Sequence, residues 1–470
     1  MKWIKTAARC ALFLALLALV TVGVFNVLTW KNAEGIRGLY RLPSNRTDVL
    51  FVGSSHSYCT VNTAMLWEDY GIAAVDISEA GQVFPIGYHY LREALKTQRP
   101  KIVFLELFGI DRGVHIESGT HYRNSLNMKW SKNYAENADY IIGDIRRKIV
   151  DENELSAIRK GIYLKFPVVH SRYSELTEDD FARDEGWLRF SSNWSSRAFD
   201  PPEALNEKGA DALTDVQRRY LDGVVELSKQ HGFRLVFWVA PYCLNAEHAR
   251  QYNAVKAYAG ENGVDFYSFD ELAAESGFDF ATDLRDEKGS SGSHINSYGA
   301  QKITRYMGKL LVEKYDSQDR RGDPEYAFYD RMAREWDVEY ALHDMNEAQN
   351  IQDYVEAVNP DLMRATLICY KSKAKLPEAS ALDALLEAET DVEGLYTRAR
   401  WNDLNRVWEL SERIRLKVGE GGIKSAVLYD GAQAVKIKKC HYCVVVVDSQ
   451  TGRLLDKAEF TKSGKNTKRA

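Results

Sequence analysis

A chain of 470 residues with 45% hydrophobic and 27% charged residues has ordinary globular composition and is long enough for more than one folded unit. Its net charge of −5, without a broad basic excess, argues against nucleic acid as a main partner, and six scattered cysteines argue against a disulfide scaffold. The ten histidines form no metal-ligand spacing, so neither a metal nor a cofactor is expected.

The first thirty residues are not globular. Lys2, Lys5 and Arg9 precede a run of about twenty residues without charge, from Cys10 to Thr29. At about 1.5 Å per residue this run crosses a hydrocarbon core of about 30 Å. The basic flank predicts a cytoplasmic segment over 1–9, an anchor over 10–30 and export of the remainder to the outer face of the cell membrane. A cleaved signal peptide is the alternative. Its apolar region usually runs about 7–15 residues, and no small-x-small site follows cleanly here.

From Asp48 the pattern alternates between strand and helix. DVLFVGSS, AAVDIS, KIVFLEL, RLVFWVAP and VDFYSF are short apolar runs, read as buried strands. Between and after them NTAMLWEDYG, FPIGYHYLREALKTQ, DALTDVQRRYLDGVVELSKQHG, EHARQYNAVKAYAGENG and SYGAQKITRYMGKLLVEKY have helical spacing. The expectation is an α/β fold with a parallel sheet covered on both faces, whose ligands bind beyond the carboxyl ends of the strands. Residues 108–212 interrupt the alternation with a Trp-, Tyr-, Arg- and Asn-rich insertion, read as packing near the strand ends and shaping a substrate cleft. Beyond the domain at 45–315, residues 316–362 read as a linker and helical segment and 363–460 as a smaller β-rich accessory domain. Residues 461–470 read as a disordered basic tail. In the accessory domain, Cys440 and Cys443 have CxxC spacing. Two cysteines cannot supply four zinc ligands, so the pair is read as structural, with a disulfide as one form.

Two stretches carry candidate chemistry. In FVGSSHS a strand ends and a helix begins, so Ser55 is exposed at the mouth of the sheet and the helix start offers N–H groups to an oxyanion. In SHINSYGAQKIT, His294 precedes the last helix of the domain, and histidine is the usual base for a serine hydroxyl. Each has a bland alternative, a turn of small residues and a capping histidine. His56, adjacent to Ser55, is read as structural because neighbouring side chains diverge. In HSRYSELTEDDF, His170 and Arg172 are possible substrate-binding residues, while Thr177, Asp179 and Asp180 fit a helix start.

Taken together, Gly53-Ser54-Ser55 and His294-Ile295-Asn296-Ser297-Tyr298-Gly299-Ala300 resemble the SGNH, or GDSL-type, superfamily of hydrolases and acyltransferases. The resemblance covers roughly residues 45–315 and implies a flavodoxin-like parallel sheet, Ser55 as nucleophile and His294 as base. It also implies an oxyanion hole from the N–H groups of Ser55 and of Gly81 in SEAGQ. The sequence departs from the family in two places. Ser291 stands where the family has the acid three residues before the histidine, so Asp286 is the expected orienting acid, Asp283 the second choice and a bare Ser–His dyad a third reading. The third block, KIVFLELFGID, lacks the oxyanion asparagine.

With its anchor, the chain looks like the bacterial membrane-anchored SGNH proteins of cell-envelope acylation. That resemblance implies transfer of an acyl group, with acetyl the expected one, to polysaccharide or cell-wall polymer hydroxyls beside a polytopic membrane-bound O-acyltransferase. The alternatives are a polysaccharide esterase and a non-catalytic glycan-binding scaffold that retains the fold.

Overall fold

The computed structural model describes residues 2–29, 34–116, 119–149, 151–176, 190–289, 292–369, 395–400, 407–409, 412–419, 422–430, 433–436, 442–461 and 463–467. The chain divides into two compact units, 1–333 and 334–470.

The first unit opens with helix α1 (Lys2–Leu28), whose stretch Trp3–Leu28 is long and apolar enough to cross a membrane. A short α2 (Glu34–Leu39) leads to β1 (Val49–Val52), α3 (Ser55–Thr60), α4 (Thr63–Tyr70), β2 (Ala74–Asp76), α5 (Phe84–Ala94) and β3 (Ile102–Glu106). Four helices follow in the stretch read as an insertion: α6 (Thr120–Leu126), α7 (Lys132–Arg146), α8 (Glu152–Leu164) and α9 (Phe166–Val169), with a 3-10 turn over His170–Ser174. The alternation then resumes with α10 (Asp215–His231), β4 (Arg234–Val239), α11 (Ala246–Asn262), β5 (Asp265–Ser268), α12 (Ala273–Ser276) and α13 (Ser297–Glu313).

The five strands form one parallel sheet in the order β2-β1-β3-β4-β5, the doubly wound order with a switch point between β1 and β3. Every residue of β1 and β3 is buried, which explains why these strands read as continuous apolar runs and not as alternations. One face carries Phe51, Phe104 and Trp238 into a core closed by Leu66 of α4 and by Ile303, Met307 and Leu311 of α13. On the other face α5 and α10 pack, with Phe84 6.4 Å from Phe237. Local signals fix the helix ends. Asn62 caps α4 by accepting from Ala64 N–H and Met65 N–H, Gly71 ends it at φ 68°, and Thr214 with Gln217 forms a capping box on α10.

The boundary between the units falls within α14 (Phe328–Glu347). The second unit continues with α15 (Ile351–Glu356) and two four-stranded sheets, built from β6 (Met363–Cys369), β7 (Leu395–Arg400), β8 (Val407–Glu409), β9 (Ile414–Gly419), β10 (Gly422–Asp430), β11 (Gln433–Lys436), β12 (Tyr442–Asp448) and β13 (Leu454–Phe460). Their orders are β11-β10-β9-β8 and β13-β12-β6-β7, with all pairings antiparallel except β6 with β7. Its core joins Met345, Ile351 and Tyr354 to Val444, Val446 and Phe460. The end of the chain departs from the expected disordered tail: residues 463–467 fold back, with Asn466 N–H on Gln349 O and Thr467 N–H on Glu459 O. Cys443 is buried on β12, while Cys440 lies outside the described residues.

Candidate active site

At the end of β1 the chain turns through Gly53 and Ser54 into α3, which begins at Ser55. Ser54 is the helix cap. Its hydroxyl accepts from His56 N–H at 3.2 Å and donates to Glu106 Oε2 at 2.8 Å, and its own N–H reaches the same oxygen at 3.2 Å. Phe108 N–H donates to the other oxygen, Glu106 Oε1. The turn that carries Ser55 is thus tied to the end of the neighbouring strand β3. Approach is so close that a Cβ on Gly53 would sit 2.4 Å from Glu106 Cβ. Gly53→Ala is therefore expected to push the two strand ends apart and to cost about 1–3 kcal/mol by overpacking. Chemical denaturation of the variant, with a parallel loss of activity, checks this.

Burial pushes the Glu106 carboxyl up to about 7, with the charge of Asp76 adding and the hydrogen bonds from Ser54 and Phe108 opposing. Such an acid keeps its proton in the folded protein after the unfolded chain has released it. Its contribution to stability is complete below about pH 4.5 and is lost as the pH rises through about 7. Glu106→Gln removes this dependence. Relative to that variant, the wild type is expected to lose on the order of 3 kcal/mol between about pH 4.5 and about pH 8, read as the difference between their urea midpoints.

His294 lies before α13 in a short antiparallel pairing. Leu284 bridges Ile295, Arg285 N–H donates to His294 O, and Asn296 N–H donates to Asp283 O. Its imidazole Nε2 is 2.8 Å from Ser55 Oγ, and its Nδ1 is 2.9 Å from Glu287 Oε2. This is the base-and-orienter arrangement that activates a hydroxyl: one ring nitrogen on the nucleophile, the other on a carboxylate. The hydrogen bond from His294 holds the Glu287 carboxyl below its ordinary range, with Arg285 contributing, so it is ionised at neutral pH.

The carboxylate on His294 Nδ1 is that of Glu287, not the expected Asp286 or its second choice Asp283. Arg285 and Glu287 both flank the imidazole loop, and their side chains approach to 3.7 Å. Asp286 is exposed and is held through its N–H on Ser195 Oγ. Asp283 is engaged elsewhere. It is buried and takes Lys302 Nζ at 2.8 Å on one oxygen and 3.0 Å on the other, besides the N–H of Asp279. Ser291 lies outside the described residues.

The remaining candidates divide. Gly81 lies in the loop after β2, which lies against the nucleophile turn through Glu79 N–H on Gly53 O. It has φ 59°, and a Cβ there would stand 2.7 Å from Thr120 Cγ2, so glycine is required on both counts. His56 is buried and stacks on Phe108 at 3.5 Å, with its ring 5.0 Å from that of His294. Burial, helped by the neighbouring His294, Arg112 and His248, pushes its pKa well below the usual value and keeps it neutral. His170 and Arg172, expected at the substrate, are engaged elsewhere. Arg172 Nη1 donates to Leu28 O at 2.7 Å and His170 Nδ1 meets Pro167 O at 2.7 Å. Thr177, Asp179 and Asp180 lie outside the described residues.

Sequence reasoning missed Glu287, Glu106 and Arg285. Arg285 is buried beneath the pairing and braces it, with Nε on Ile295 O at 2.7 Å and its terminal nitrogens on Ser191.

No known protein family matches the sequence, and no curated protein matches it. Among solved structures the chain is similar to one described as a putative acylhydrolase from Bacteroides fragilis, at 10% identity and a TM-score of 0.27 over 58% of this chain and 92% of that one. A likeness at that level assigns neither family nor reaction, and the functional reading rests on the site itself.

Proposed function

We propose that this chain is an SGNH-type serine acyltransferase of the cell envelope, which places an acyl group, acetyl in the simplest case, on hydroxyls of a polysaccharide. The observation that carries this reading is the continuous relay from Glu287 through His294 to Ser55 Oγ at the carboxyl end of β1. In the first half-reaction His294 Nε2 takes the Ser55 proton as Oγ attacks the donor carbonyl. The N–H groups of Ser55 and Gly81 receive the oxyanion, and the departing group leaves with the proton. In the second, His294 deprotonates a sugar hydroxyl, which attacks the acyl-serine and releases Ser55. Glu287 stabilises the imidazolium formed in each half. Helix α1, retained as a single-pass anchor with its N-terminus in the cytoplasm, keeps this chemistry at the outer membrane face, beside a polytopic O-acyltransferase that supplies the acyl group. Transfer in place of hydrolysis requires water to be kept from the acyl-serine. The segment 190–199, laid along the His294 loop through Ser191, Asn193 and Arg197, is placed to help.

The test has two stages. Full-length protein in detergent is treated with a fluorophosphonate probe, and labelling that disappears in Ser55→Ala is expected. Folded wild type that fails to label overturns catalysis in favour of a binding protein. With an acetyl ester donor and an envelope glycan, acetylated glycan is expected, and free acetate alone makes the chain an esterase.

A further inference from the structure

The exposed apolar side chains of the first unit are unevenly placed. Among its described residues outside α1, seven large apolar side chains are exposed, and four of them lie in the segment inserted after β3: Trp130 at 59%, Leu164 at 64%, Phe166 at 39% and Tyr173 at 73%. Trp130 and the turn carrying Leu164 and Phe166 form one neighbourhood, and Tyr173 follows in the adjoining 3-10 turn. Lys165 turns the chain at φ 57° between Leu164 and Phe166, and its Nζ lies 5.4 Å from the Trp130 ring. Trp130 in turn lies 6.5 Å from the ring of Tyr163, and Phe166 6.2 Å from that of His170. A patch of this kind marks an interaction surface.

What covers it is indicated by α1. The last turn of this helix is fixed to the same neighbourhood: Leu28 packs with Val169 and Leu126, Phe25 joins that cluster, and Arg172 donates to Leu28 O at 2.7 Å. Tyr173 is the next residue after that arginine. Preceding residues of α1 are exposed along its length, as a lipid-facing helix requires. A helix that leaves the bilayer here brings the patch to the level of the lipid headgroups. The side chains suit that depth. Tryptophan and tyrosine favour the membrane interface, leucine and phenylalanine favour the acyl boundary, and Arg159 and Lys160 of α8 supply positive charge nearby in sequence.

The geometry points to a second membrane contact: the face formed by Trp130, Leu164, Phe166 and Tyr173 is seated in the headgroup region of the bilayer that α1 crosses, fixing the orientation of the catalytic unit and not merely tethering it. This rests on the reading of α1 as a retained anchor.

The full chain is reconstituted in nanodiscs of phosphatidylcholine and phosphatidylglycerol, with Cys10 and Cys243 replaced by serine. A nitroxide is attached in turn to Phe166→Cys, Tyr173→Cys, Val216→Cys on α10 and Leu14→Cys in α1, with the parent chain as background. Circular dichroism and the thermal melt of each variant, compared with the parent chain, verify that it is folded. Accessibility to oxygen relative to a water-soluble nickel chelate is expected to be several-fold higher at 166 and 173 than at 216, and highest at 14. Equal values at 166, 173 and 216 with a lipid-exposed 14 overturn the seated face and leave the anchor standing. A water-exposed 14 overturns the anchor itself. Shielding of 166 and 173 from both reagents shows a protein covering and also overturns the lipid contact.

Discussion

Ser55→Ala is expected to lower kcat on an acetyl ester by about 10⁶-fold, His294→Ala by a similar factor, and the double variant by no more than either alone. The reason lies in the shared proton. Ser55 Oγ and His294 Nε2, 2.8 Å apart, act in one step, so removing either leaves the other with nothing to do. Residual turnover of about 10³–10⁴ over water is expected from binding and oxyanion donors. Stability is expected to change little, because Ser55 is partly exposed and its loss leaves the Ser54 cap and the Glu106 contacts in place. Steady-state kinetics on the three variants, with denaturation curves beside them, check this. Independent, multiplying losses would show that the two groups do not work as a unit.

The sheet was legible in the sequence because strands buried on both faces must be apolar throughout. DVLFV, KIVFLE and RLVFWV cannot satisfy any half-exposed element, and Gly71 and Gly263 mark helix ends at φ 68° and 66°. Ser55 and His294 were legible for a related reason. Each lies where a regular element begins or ends, and those positions can be counted. The inserted helices were less legible because their burial is partial and polar. Asn133, Asn137 and Asp144 are buried on α7, held by His89 O, Asn124 O and Val114 N–H among others, so the apolar period is interrupted on the very face that packs. Glu106 hid for a comparable reason. An acid at the end of an apolar strand looks like a solvent-facing terminus until Ser54 is seen to occupy it. In the stretch read as carrying substrate-binding residues, Arg172 holds the end of α1 through Leu28 O and His170 meets Pro167 O, contacts that no local pattern announces.

The identity of the carboxylate behind His294 gives the most discriminating prediction. Glu287→Gln keeps the shape of the side chain but presents an amide to His294 Nδ1, and a flipped amide favours the wrong imidazole tautomer. A comparable change in a serine triad costs about 10⁴-fold in kcat, and a loss of that order is expected here. Asp286→Asn is expected to stay within about twofold of wild type, as an exposed residue held only through its backbone N–H. Asp283→Asn should behave differently from both. It breaks a contact in which the carboxylate is 1% exposed and Lys302 37%, so about 1–3 kcal/mol of stability is expected to go while kcat in the surviving folded protein is largely kept. The three amides thus separate orientation, surface and scaffold within one segment of five residues. A large kcat loss in Asp286→Asn with none in Glu287→Gln would mean that this segment rearranges when substrate binds. The two carboxylates are adjacent in sequence, but only Glu287 meets His294 Nδ1, while Asp286 is exposed and its backbone N–H is tied to Ser195 Oγ, so exchanging them requires the backbone to move.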